Sequence, residues 1–322
     1  MSWLGRLWGR WRRRGEPATL SERYGEIARS IDPHDLQRSE DDDWLTEADL
    51  IGDLTGDHYR ARRILDFYTE EGFQWGLERY GLLDKIRQLG FDDLRFAFDT
   101  ADPKRQHITC HGTKDGAEHL LMDLMMGPDA PDFGAASDLM MGRIHKPAPE
   151  GLEPGDDLEL LSLEWMMLQN PSIAFSADHP RWPGQDHPGL GLNQEVMLLH
   201  IQSAKRLGLD GIVSHPSRYH IANLGHGYHW FFDPEVQGRF DALREVLAEL
   251  DLSDATWRME RGEVRWAEDD TPVEWLPGDL VYPISDRLAD YFRSPFYEEP
   301  RARSHARSRN RGISFRSAAP RS

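Results

Sequence analysis

From Leu94 onward the apolar residues of this chain fall on every second position, after a stretch in which they recur every three or four. Leu94, Phe96 and Phe98 alternate with Arg95, Ala97 and Asp99, and Ile108 and Cys110 alternate with His107, Thr109 and His111. Leu120, Met122, Leu124 and Met126 repeat the pattern beyond the turn residues Lys114, Asp115 and Gly116. A period of two belongs to a strand with one buried face, so the spacing predicts three strands, the last two a hairpin. The segment Leu158 to Leu168 is more apolar still, broken only by Glu159, Ser162 and Glu164. A strand buried on both faces reads this way, which places it at the centre of a sheet.

Helical spacing surrounds these strands. Thr19 and Glu22 form a capping-box pair ahead of Leu20, Tyr24, Ile27 and Ile31. The run from Asp57 through Tyr68, then Leu82, Leu83, Ile86 and Leu89, predicts one or two further helices. A helix is expected from about Leu192 to Leu207, stopped by Gly208. Short strands are expected at Gly211 to Ser214 and Tyr228 to Phe232, and an amphipathic helix through Phe240, Leu243, Val246, Leu247 and Leu250. Thr256 to Ile284 reads as short strands and turns. The expected class is α+β: a central mixed sheet flanked by helices, with an N-terminal helical section (18–90), a sheet domain (91–252) and a C-terminal extension (253–297). Residues 298–322 are rich in Arg and Ser without an apolar period, and read as a disordered tail.

Charge is distributed unevenly. The chain has 38 Lys and Arg against 56 Asp and Glu, a net −18 over 322 residues. Five Arg lie in residues 1–14 and seven in 301–322, with no acid in either stretch; removing these twelve leaves a body at −30 between two basic ends. Such a body repels nucleic acid except through the basic tail, which has RNA, anionic lipid and the acidic body itself as candidate partners. In residues 1–15, Trp3, Leu4, Leu7, Trp8 and Trp11 fall on one side of a helix and Arg6, Arg10 and Arg13 on the other, a pattern suited to peripheral membrane or protein contact. No apolar run approaches a bilayer span, and the single Cys110 rules out an internal disulfide framework, so a cytoplasmic location, peripheral to a membrane through the N-terminal segment, is expected.

The most informative segment is Gln185-Asp186-His187-Pro188-Gly189-Leu190-Gly191-Leu192, between the central strand and a helix. Glycines let backbone approach a ligand closely, and amides at a helix start bind phosphate without lysine. In this order of elements the chain resembles the GNAT superfamily of N-acetyltransferases over about residues 90–235. There a central strand leads to a Gln/Arg-x-x-Gly-x-Gly/Ala loop, then a helix, a strand, a second helix and a closing strand. The segment Ala204 to Ile212 is similar to the family's helix-to-strand join. The resemblance implies acetyl-CoA as cosubstrate, its pyrophosphate held by Gln185 and the backbone of Gly189, Leu190, Gly191 and Leu192. Two departures stand out: Asp186 occupies the place of the family's Gln or Arg, and Gly225 or His226 the place of its general-acid Tyr.

For proton transfer, the resemblance points to Glu164 on the central strand, while His220 and His226 flank the expected acceptor side. An acidic body favours a cationic amine acceptor, a small molecule or a lysine. A GNAT-like scaffold without catalysis is the first alternative. The density of His179, His187, His200, His215, His220, His226 and His229 raises a metal-dependent enzyme as the second.

Overall fold

The expected cap at Thr19 forms: its hydroxyl accepts from the Glu22 amide and the Glu22 carboxylate accepts from the Thr19 amide, opening helix α1 (Leu20–Ser30). The computed structural model describes residues 19–38, 63–102, 105–126, 143–152, 157–176 and 179–316, with backbone only at 101–102 and 164–165. The basic N-terminal segment lies outside these residues. Helices α2 (Glu70–Arg79) and α3 (Leu82–Gln88) follow.

The period-two region forms β1 (Asp92–Asp102), β2 (Arg105–Lys114) and β3 (Ala117–Met126). Asp115 and Gly116 both adopt positive φ, 52° and 78°, as a tight two-residue hairpin turn requires. Then come β4 (Arg143–Lys146), β5 (Leu158–Leu168), α4 (Asn193–Arg206), β6 (Gly211–Ser214), α5 (Tyr219–Leu224) and β7 (Trp230–Phe231). The chain continues through α6 (Pro234–Leu247), α7 (Leu252–Glu260), β8 (Val264–Trp266), β9 (Leu280–Pro283), α8 (Asp286–Tyr291), α9 (Pro295–Arg311) and β10 (Ile313–Phe315).

The fold is mixed α+β. Eight strands form one sheet in the order β1-β2-β3-β5-β6-β9-β7, with β4 continuing beside β5 on the β3 edge. β5 is central, as its apolar run requires, and pairs in parallel with β6 on its other edge. Its neighbours are otherwise antiparallel. Ile108, Cys110, Leu124 and Leu161 on one face pack with Ile201, Ala204 and Ile212 beneath α4. Leu160, Val213 and Val281 pack with Leu288, Phe292 and Tyr297 of α8 and α9. A separate cluster joins Tyr219, Phe240, Leu243, Ala255 and Trp266. Among the described residues, no helix is long and apolar enough to cross a membrane.

Three expectations are corrected. The helical run expected through Tyr68 is, over the described residues 63–69, a turn closed by an Ile64–Tyr68 bridge. Thr256 to Glu260 are helical, in α7, because Asp251 caps the amides of Ser253 and Asp254 and starts a helix that short-range hydrophobic reading misses. The expected disordered tail is a helix and a strand up to Phe315. α9 forms because its arginines meet acids of the body: Arg301 with Asp241 (2.7 Å), Arg307 with Glu235 (3.7 Å), Arg309 with Glu245 (3.4 Å) and Arg311 with Glu268 and Asp269 (both 3.0 Å). Of the tail's candidate partners, the acidic body is the one the structure brings to it.

Candidate functional site

The chemistry-bearing segment is positioned by the way β5 outruns its parallel neighbour. Pairing with β6 covers Leu160 to Leu163 against Gly211 to Ser214 and then stops, while β5 continues to Leu168 along β3. At the far end of β5 the loop returns. The Leu190 amide donates to the Leu168 carbonyl (3.3 Å), and the Asn170 amide to the Pro188 carbonyl (2.6 Å). Between the end of β6 and this loop, β5 residues 164–167 have no strand beside them on that edge among the described residues, a notch of about 13 Å at 3.3 Å per residue.

Backbone groups line this notch. Gln169 donates toward β3, to the Leu121 carbonyl, whereas Leu168 and Asn170 turn toward the loop. Alternation along an antiparallel strand turns the N–H and C=O of Met166 the same way as those of Leu168, into the notch. The first turn of α4 lies just beyond the loop. Its N-cap, Leu192, offers no side-chain hydrogen bond, so the leading amides of this 14-residue helix have no side-chain cap. Gly191 adopts φ 75° with open space where a Cβ would stand, so backbone shape calls for glycine at this end of the loop. A Cβ on Gly189 would make only ordinary contacts.

The loop residues divide in consequence. Gly189, Gly191 and Leu192 border the notch. Leu190 is corrected as an anion donor, because its amide is spent on Leu168 and its side chain is buried. Gln185 is also engaged: its side-chain oxygen accepts from the Trp182 amide (3.3 Å), closing a local turn. Asp186 is exposed, so the acid at the place of the family's Gln or Arg turns to solvent.

The long connection from Asn170 to Leu192 reaches the opposite wall. Trp182 stacks on His220, with ring centroids 4.9 Å apart. The Trp257 indole donates to the Arg181 carbonyl (3.1 Å). Gly184 carries the Arg218 guanidinium at 2.9 Å from where a Cβ would lie, and its φ is 79°.

His220 is therefore buried beneath Trp182, and its Nδ1 has no hydrogen-bond partner among the described residues. Burial, with the Arg218 charge beside it, pushes the imidazole down to about 4. A ring this hard to protonate is a poor proton carrier near neutrality. His226 lies exposed on the turn after α5 and does not join His220. Glu164 lies on β5 at the irregularity where pairing jumps from Leu163 to Trp165, and its side chain is outside the described residues.

Sequence reasoning missed a polar cluster at the notch's β6 wall. His215, the residue after β6, places Nε2 2.6 Å from Asp279 Oδ1, and the other carboxylate oxygen receives Lys146 Nζ. Burial first and the Lys146 charge second hold His215 below its usual range. The signal in the sequence was slight: an Asp immediately ahead of a short strand, 64 positions from its histidine.

The remaining histidines do not converge. Among the described residues, no three His, Cys, Asp or Glu side chains are placed to hold a metal ion. Cys110 is fully buried, and burial pushes its thiol up to about 12, so it is inert. A groove of about 800 Å³ lies elsewhere, between α1 and α4, lined by Glu22, Glu26, Arg29, Lys205 and Arg206. It mixes acids with bases and includes none of the glycine-loop residues. No protein-family model, curated protein or solved structure matches this chain.

Proposed function

We propose that the chain is an acyl-CoA-dependent N-acyltransferase of GNAT-like arrangement, transferring an acetyl or related acyl group to a cationic amine, a small molecule or a lysine. The observation that carries this reading is the notch where β5 outruns β6. An extended amide-containing arm hydrogen-bonds readily to an open strand edge, here Met166, and a pyrophosphate suits the uncapped amides ahead of α4. The order of elements, β5, loop, α4, β6, α5 and β7, agrees with the order the resemblance implies. His215, oriented by Asp279, is the imidazole best placed on the β6 wall to take a proton from the acceptor.

Calorimetric titration of the full chain with acetyl-CoA tests the cosubstrate. Binding is expected for the wild type and lost in Gly189→Arg, where a Cβ makes only ordinary contacts and a long cationic side chain is added beside the notch. Absence of heat and of thermal shift at millimolar acetyl-CoA would overturn the reading.

A second reading keeps the notch without the reaction: a binding protein whose basic residues 1–14 contact a membrane or partner. The low pKa of His220 and the burial of Tyr219 among Phe240 and Trp275 favour it, since neither side chain is suited to deliver a proton. Acetyl-CoA binding without acyl transfer to polyamines or lysine peptides would select it, with liposome flotation of the full chain against one lacking residues 1–15 testing the membrane contact. A cytoplasmic location accords with either reading.

A further inference from the structure

We infer that residues 301–316 form an arm held to the acidic body by ion pairs together with close backbone contact at Gly238, and that it undocks as a unit when those charges are screened. The geometry separates an anchored end from a charged one. At the start of α9, Tyr297 is fully buried and its hydroxyl donates to the Phe231 carbonyl (2.7 Å). Pro300 then interrupts the helix ladder, having no N–H to donate to the preceding turn. Beyond it no apolar side chain of α9 is buried; the two buried positions are Ser304 and Ser308. Arg307 and Arg309 instead reach Glu235 and Glu245 on α6, through side chains at least half exposed. β10 adds a three-residue pairing with β8.

Exposed pairs are individually weak and respond to salt, so a segment that depends on several of them is the part of the molecule most sensitive to ionic strength. The apolar sheet is not. The arm thus carries six arginines that are masked at low salt and presented when competing ions displace its acids.

Hydrogen–deuterium exchange on the full chain tests this between about 0.1 M and about 1 M NaCl, where the screening length falls from about 10 to about 3 Å. Amides of 301–311 are expected to exchange about tenfold faster or more at high salt, with β2 and β3 unchanged. Glu235→Gln combined with Glu245→Gln should reproduce the acceleration at low salt and blunt the response to salt. Equal protection at both salts overturns the inference. So does acceleration shared with β2 and β3, which would make the arm part of the main cooperative unit.

Discussion

Helices α4 and α9 have similar lengths and opposite means of attachment. α4 buries Ile201 and Ala204 against the sheet, and Val196 in a neighbouring apolar cluster with Leu83, Ile86 and Leu121. α9 buries Tyr297 in its first turn and thereafter lays serines against α6, where Gly238 admits the Arg301 backbone. Apolar burial ties the first helix to the fold at any salt concentration. Close backbone approach and ion pairs tie the second, and these depend on one glycine and on solvent conditions.

The largest effect is expected on the apolar side of this contrast. Ile201→Ala should cost about 2–5 kcal/mol by emptying a buried site beneath α4, read as a lower urea midpoint with unchanged slope. A loss under 1 kcal/mol would mean that α4 is held by something other than its apolar face.

α4 also holds a pH-sensitive group. His200 is buried, and burial pushes it down to about 4 from an ordinary 6.5. The unfolded chain therefore takes up the proton first as pH falls. Stability from this residue is full above about 6.5 and declines toward about 4, by about 3 kcal/mol in all. His200→Gln should flatten that part of the profile when unfolding is compared at about pH 7 and about pH 4.5, and an unchanged slope would place the titration elsewhere.

On the α9 side, a Cβ at Gly238 would meet the Arg301 carbonyl at 2.2 Å. Gly238→Ala should cost about 1–3 kcal/mol through overpacking, with exchange in α9 rising before exchange in α4. Retained wild-type thermal stability would show that α9 shifts freely. Arg307→Ala, which removes one exposed pair, should change stability by no more than about 1 kcal/mol and only at low salt. A larger loss would show that the pairs act as a network.

The same contrast explains which parts of the fold could be read from sequence. Thr19 with Glu22, the alternation from Leu94 to Met126, the apolar run of β5 and the spacing of α4 each express a local rule that residues a few positions apart satisfy together. α9 has no such pattern, because its partners on the body, Asp241 and Asp269 among them, lie 42 or more positions away. The candidate site divides in the same manner. The glycine loop ahead of α4 was legible as a candidate ligand loop. The commitment of the Leu190 amide to Leu168, the stacking of Trp182 on His220 and the pairing of His215 with Asp279 were not, since each joins distant segments.

The sequence by itself determined that the chain builds a mixed sheet around one strand buried on both faces, that helices flank it, and that any phosphate site in so acidic a body must work through loop and helix amides. Periodicity and charge are properties of the chain, and they act before any long-range contact exists. Only the tertiary structure decided where β5 parts from β6, which amides remain open there, and that the basic C-terminal segment folds back onto the body. Those outcomes depend on register and on electrostatic pairing between remote residues, which become defined when the sheet and its helices have assembled.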